Sequence, residues 1–173
     1  MKKALVLSAI FFLASFTAGS AFLLRAQAYV SADAIDTIRS RYAEINKNLS
    51  RYRKVKKELS GYSAEGGQLE AYFDGKAIRK IVATHYGESG RATEEFYYWD
   101  DQLIFVFRKD SQYDKPLSGK VVSTSENRFY FDNKQLIRWI GENGKQVSSN
   151  QPEYAEKQRE NLENSSEFLK LVR

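Results

Sequence analysis

His85 is the residue of this chain with the greatest catalytic potential, because it is the single histidine and histidine is the commonest general base. It lies in the alternating run Ala83-Thr84-His85-Tyr86, just before Gly87, a pattern typical of the end of a strand. A hydrolase that uses His85 also needs an activated nucleophile, and the sequence has no Gly-x-Ser-x-Gly turn to present one. The sequence therefore favours a structural histidine, and a hydrolase using His85 ranks third among the functional hypotheses.

The acidic residues predict neither a catalytic pair nor a metal site. Glu94 and Glu95 are neighbours in a predicted strand and point to opposite faces, so they cannot flank one sugar. Asp100 and Asp101 lie in a predicted turn but lack the alternating acids of a calcium loop. The chain has no cysteine, which excludes thiol chemistry and, with one histidine, a structural zinc site. We expect no catalytic residues, no metal and no cofactor.

Aromatic residues are the best candidates for a binding surface, because an internal repeat places them in pairs before turns. Tyr72-Phe73-Asp74-Gly75-Lys76 recurs as Tyr130-Phe131-Asp132-Asn133-Lys134, and Tyr98-Trp99-Asp100-Asp101 is a shorter version. Neighbours on a strand point to opposite faces. The repeat therefore predicts a row of Phe73, Trp99 and Phe131 in the core beneath the long helix and a row of Tyr72, Tyr98 and Tyr130 on the second face, with Trp139 near its edge. The tyrosine row predicts either cross-strand packing or a surface that recognises a partner.

The same repeat predicts the sheet. Each unit has an aromatic pair, an Asp-led turn and a second apolar run, as β-hairpins do. The predicted strands are 68–73, 77–86, 92–99, 102–109, 119–124, 128–131 and 135–140. The units resemble hairpins of exported bacterial β-repeat proteins and, less closely, MORN-type repeats, whose period is shorter and whose glycines are more regular. The resemblance implies a sheet and assigns no activity.

A long helix is predicted before the sheet, over 29–61. Its apolar residues recur at steps of three and four, interrupted at Lys56, and Gly61 ends the pattern. One interpretation is an amphipathic helix lying across the chain's own sheet. The other is a homodimer seam, formed through Ile38, Ile45, Leu49 and Tyr52.

The first 28 residues have the three parts of a secretory signal peptide. Lys2 and Lys3 precede an apolar stretch, and Ala26-Gln27-Ala28 predicts cleavage after Ala28. An uncleaved anchor is the alternative, since the stretch approaches the length that spans a bilayer. Without residues 1–28 the chain has 24 basic and 22 acidic residues, a net charge of +2. That balance argues against a nucleic-acid partner, and the basic run between Arg51 and Lys57 is expected to be a solvated helix end.

Taken together, the sequence predicts an α+β fold. A long N-terminal amphipathic helix packs on a twisted antiparallel meander of about six or seven strands over 62–147, followed by a polar link and a short C-terminal helix over 148–173. The leading functional hypothesis is an exported, periplasmic or secreted, non-catalytic module that binds a protein or glycan. The second is a structural protein that dimerises through the long helix.

Overall fold

The computed structural model describes residues 18–61, 63 and 65–173, with side chains from residue 33 onward except at 62 and 64. The chain divides into two compact units, 1–33 and 34–173, and every strand belongs to the second. The predicted signal peptide lies outside the described side chains, and its residues 1–17 lie outside the described residues altogether.

The fold is α+β, with one seven-stranded antiparallel sheet whose strand order follows the sequence. The strands are β1 (Arg53–Glu58), β2 (Gly67–Asp74), β3 (Ala77–Gly87), β4 (Gly90–Trp99), β5 (Gln102–Tyr113), β6 (Val121–Asp132) and β7 (Gln135–Ile140). The helices are α1 (Ala18–Asn48), a short 3-10 turn at Leu49–Arg51, and α2 (Pro152–Val172). The predicted antiparallel meander is confirmed, and the two strands predicted at 119–124 and 128–131 are one strand, β6.

The predicted helix over 29–61 is wrong in its second half. The helix α1 ends at Asn48, and Arg53–Glu58 forms the edge strand β1. Val55 is the single apolar residue of β1, so its pattern predicts neither a helix nor a strand. The segment is a strand because it pairs with β2. Across this pair, the Glu70 carboxylate forms salt bridges with the Nζ atoms of Lys54 (2.6 Å) and Lys56 (3.1 Å).

The part of α1 from Ala34 onward packs on one face of the sheet, called here the α1 face. Ile35, Ile38 and Ile45 are buried there against Tyr97 and Phe105, among other residues. This packing agrees with the first interpretation of the apolar stripe. Because Ile38 and Ile45 are buried within their own chain, a seam with a second copy would have to separate the helix from the sheet.

The helix α2 covers the opposite face, called here the α2 face, and is a single helix with Pro152 in its first turn. Its buried residues recur at helical spacing: Tyr154, Asn161, Ser165, Phe168 and Val172. Phe168 packs edge-on against Phe96 at 5.4 Å between ring centroids. Asn161 and Ser165 are two of these five buried residues, so the apolar residues alone mark the buried face of this helix only in part.

The predicted aromatic rows are wrong in two ways: Phe73 and Phe131 pack with α2 and Tyr130 packs with the long helix α1, the reverse of the predicted faces, and the middle hairpin is out of step with the other two. The two-residue turns follow Asp74, Trp99 and Asp132, so Trp99 is equivalent to the two aspartates and not to Phe73. A β-bulge recurs at Tyr72/Phe73, Tyr97/Tyr98 and Tyr130/Phe131, which confirms this alignment. Tyr98 therefore joins Phe73 and Phe131 on the α2 face, while Trp99 lies on the α1 face. The repeat is real, but its units align at their turns.

Candidate functional site

A cavity of about 740 Å³ opens on the α2 face, where the antiparallel strand β7 ends opposite Arg128 and does not reach the start of β6. Strands β5, β6 and β7, the turn at 141–145 and the start of α2 form its walls. We call it the Trp139 cavity; its principal lining residues are Arg108, Asp110, Asn127, Trp139, Glu142 and Lys157. This size is in the usual range of ligand pockets.

Trp139 lines the cavity and is held in place by two aromatic rings and one hydrogen bond. It stacks on Phe129 at 5.4 Å between centroids and lies 6.2 Å from the ring of Tyr154. Its indole Nε1 donates a hydrogen bond of 2.9 Å to Oδ1 of Asn127. The partly buried Trp139 ring is therefore held in one orientation at the cavity wall, so binding costs little conformational entropy at this side chain.

Asn127 belongs to a row of polar side chains that crosses three strands. In the sheet register Glu94 pairs with Arg108, and Arg108 pairs with Asn127. Asn127 is 8% exposed, and no described residue accepts a hydrogen bond from its Nδ2. Because Oδ1 of Asn127 already accepts from Trp139, its Nδ2 group is left to donate a hydrogen bond at the cavity wall.

Arg108 connects the cavity to a buried ion network. Its guanidinium lies 2.9 Å from Asp110 and 3.2 Å from Glu94, whose carboxylate is 5% exposed. Hydrogen bonds with Asp110 raise the pKa of Arg108 above its ordinary value, although burial acts against this. The second oxygen of Glu94 contacts His85 Nε2 at 3.1 Å. The histidine thus belongs to a charge-paired network beneath α2.

The charged residues that line the Trp139 cavity balance, but the carboxylates paired with its two cations add negative charge behind the wall. The two cations are Arg108 and Lys157, and the four carboxylates are Glu94, Asp110, Glu142 and Glu160. Lys157 is held by Glu160 at 2.5 Å, and no described cation forms an ion pair with Glu142. These carboxylates outnumber the arginine and lysine by two, so the group favours a ligand with a positive or hydrogen-bond-donating group.

A second polar cluster lies on the α1 face. Lys80, 5% exposed, contacts Tyr97 at 2.8 Å and Glu95 at 2.9 Å, and it reaches Asn46 of α1 at 3.4 Å. Burial raises the pKa of Tyr97 far above its ordinary value, and the Glu95 carboxylate adds to the shift. A cavity of about 370 Å³ lies beside it, with Glu95, Phe105 and Tyr130 in its lining. Within this cluster every polar group is already paired, which indicates a role in attaching α1 to the sheet.

The four aromatic residues predicted as a binding surface do not lie together. Tyr72 and Tyr130 are on the α1 face, where Tyr72 donates to Glu70 at 2.9 Å and Tyr130 packs on Phe105. Tyr98 is 1% exposed on the α2 face, and its hydroxyl hydrogen-bonds to Ser165 at 2.9 Å. Trp139 is the member of the four that lines the larger cavity.

Arg108, Asp110 and Asn127 were missed by reasoning from the sequence. A signal was present, because Arg108 and Asp110 are two apart on a strand and share a face. Counting residues back from the turn at Asp100-Asp101 also brings Glu94 near Arg108 once one bulge is allowed. Asn127 gave no such signal, since it lay between two strands that the sequence predicted as separate.

Among the described residues, no group of three or more potential ligand side chains is arranged to hold a metal ion. No helix in the described part of the chain combines the length and apolarity needed to cross a bilayer. Compared with protein-family models, curated proteins and solved structures, the chain matches none of them.

Proposed function

We propose that the protein is exported and acts as a non-catalytic binding module that holds a polar segment of a protein or glycan in the Trp139 cavity. The export half of the proposal is supported by the N-terminal pattern, Lys2 and Lys3 before an apolar stretch and Ala26-Gln27-Ala28 after it. The binding half is supported mainly by one observation: Trp139 is fixed by Asn127 and Phe129 at the wall of a cavity of about 740 Å³.

The chemistry of the cavity suits recognition. An aromatic surface contributes contact area, and the surrounding charged and amide groups select for orientation and for hydrogen-bonding partners. Arg108 is held by carboxylates on two neighbouring strands, so its position costs little to organise when a ligand arrives. We assign His85 to this supporting network, because its ring contacts Glu94 and lies 6.3 Å from the ring of Phe168.

The test is a screen of the purified protein, obtained by expressing the full chain, on glycan and peptide arrays. Retention of a ligand class should fall at least about tenfold in Trp139→Ala, which corresponds to about 1.4 kcal/mol. Trp99→Ala is the matched control, because Trp99 is the other tryptophan of the chain and lies on the opposite face.

A second variant protects the test against misfolding. Glu142 is exposed in the turn at 141–145, so Glu142→Lys should leave the fold intact while reversing a charge at the cavity. We expect Glu142→Lys to change retention at least about threefold, in the direction set by the ligand's charge. Equal retention by wild type, Trp139→Ala and Glu142→Lys would refute the assignment of the site.

A further inference from the structure

The two edges of the sheet are protected very differently. The edge strand β1 carries five charged residues in six positions, Arg53, Lys54, Lys56, Lys57 and Glu58. Charged residues, lysine above all, are the usual means of preventing a free edge from pairing with another strand. At the opposite edge β7 pairs with β6 only over Arg128–Asp132, and the outer side of 121–127 has no described backbone partner. We call 121–127 the open edge.

The open edge has the composition of a strand that pairs. Val121 to Ser125 contains no charged residue and consists of valine, serine and threonine. Val121 and Val122 are exposed, at 38% and 59%. Seven residues extend about 23 Å, enough for an added strand of six or seven residues. Charged side chains therefore protect the β1 edge from pairing, whereas the open edge has unpaired backbone groups beside β-branched side chains.

The chain itself turns away where it would cover this edge. Strand β7 ends at Ile140, opposite Arg128, and the amide of Gly141 then bonds to the carbonyl of Lys145 at 2.9 Å. Gly144 has φ +73°, a conformation that favours glycine. Val147 returns to bond Trp139 on the outer side of β7. Beyond Ile140, the turn at 141–145 thus does not pair with β6, and the outer side of 121–127 has no backbone partner among the described residues.

The Trp139 cavity lies directly beside the open edge. Ser125 and Asn127 belong to the open edge, and both line the cavity on the α2 face. A residue paired opposite either of them would point its side chain to the same face, toward the cavity. The Nδ2 of Asn127, for which no described residue is the acceptor, lies at the same place, where it would donate to an incoming carbonyl oxygen.

We propose that the open edge binds an extended peptide as an additional strand, in line with β7, and that a basic side chain of this peptide occupies the Trp139 cavity. The backbone hydrogen bonds of strand addition supply affinity, and a pocket for one alternate side chain supplies specificity. We expect a basic side chain because the carboxylates that line the cavity or pair with its cations outnumber Arg108 and Lys157 by two. This inference rests on the proposed function, since it names the ligand class of the same cavity.

The experiment uses protein expressed as the full chain with Trp99→Phe, so that Trp139 is the sole tryptophan and its fluorescence reports on the cavity. The probe is a blocked heptapeptide of alternating threonine and valine with a central lysine. Its first comparison is the same peptide with a central glutamate. The second is a pair of N-methylated isomers, methylated on alternate residues, because each isomer has only one of its two strand edges blocked.

The lysine peptide should change Trp139 fluorescence and slow amide hydrogen exchange within 121–127. The glutamate peptide should bind at least about tenfold more weakly. One N-methylated isomer should bind like the parent and the other at least about tenfold more weakly, because it loses several backbone hydrogen bonds. No substitution in the open edge is needed, so these results do not depend on a variant that fails to fold.

The contrary outcomes separate this inference from the proposed function. Equal binding of both N-methylated isomers, with unchanged exchange in 121–127, would refute strand addition while the cavity remained a binding site. A glycan that changes Trp139 fluorescence when no peptide does would refute the peptide class alone. If neither does, the proposed function fails as well. Self-association of the free protein, with slowed exchange in 121–127, would assign the edge to a second copy and overturn the peptide proposal.

Discussion

Arg108→Met tests whether the ion network beneath α2 is an energetic unit. The substitution keeps much of the side-chain volume but removes the charge 3.2 Å from Glu94. Glu94 is 5% exposed in its side chain, so it would be left as a buried carboxylate with His85 as its remaining contact. Breaking a buried ion pair on one side typically costs about 3–5 kcal/mol. Because Arg108 is one-third exposed and His85 is retained, we expect the lower end, about 3 kcal/mol.

The assay is urea unfolding at neutral pH, followed by circular dichroism and tryptophan fluorescence. The single variants Arg108→Met and Glu94→Gln and the double variant complete a thermodynamic cycle. If the cost comes from the unpaired carboxylate, the double variant should recover at least about half of the loss, since the isosteric amide needs no counter-charge. Additive losses, or a cost below about 1 kcal/mol for Arg108→Met, would refute the reasoning.

Three further variants test other contacts, each by the same unfolding assay. Burial alone would raise the pKa of Glu70, but hydrogen bonds from Lys54, Lys56 and Tyr72 outweigh it and hold this pKa at about 2, below its ordinary 4.5. Glu70→Gln should therefore lower the free energy of unfolding by about 1–2 kcal/mol at pH 7, a value reduced because both lysines are exposed. This cost should be lost as the pH falls from 4.5 to 2; a pH-independent cost would contradict it. Tyr98→Phe should cost about 1–2 kcal/mol by leaving Ser165 unpaired, and no loss would show that water replaces the hydroxyl. Ile45→Asp should prevent stable folding, because it buries a charge in the core; a folded monomer would instead favour the helix-mediated dimer.

Local chemistry accounts for the parts of the fold that were predicted. Asp74-Gly75 and Asp132-Asn133 favour tight turns, and the φ of +59° at Gly75 and +48° at Asn133 agree with that preference. The apolar stripe of Ile35, Ile38 and Ile45 likewise predicted a helix lying on a sheet. Such features need only neighbouring residues to be interpreted, so one sequence was sufficient for them.

The candidate site was predicted only at Trp139. Its partners Asn127 and Arg108 are polar residues on different strands, and their proximity depends on a register that includes bulges. Tyr98 and Trp99 exchanged their predicted rows because the middle turn follows Trp99 directly, whereas an aspartate separates the aromatic pair from the turn in the other two hairpins. Register is decided by the packing of whole strands against α1 and α2.

By itself the sequence determined that the chain forms hairpins in series between two helices, without cysteine chemistry, because turn propensity and hydrophobic periodicity act over a few residues. The tertiary structure decided that Arg53–Glu58 is a strand, that Tyr98 is buried, and that β7 ends before it reaches the start of β6. Each of these depends on what lies across the sheet. Burial and edge pairing are properties of neighbours distant in sequence, so no local pattern in the chain records them.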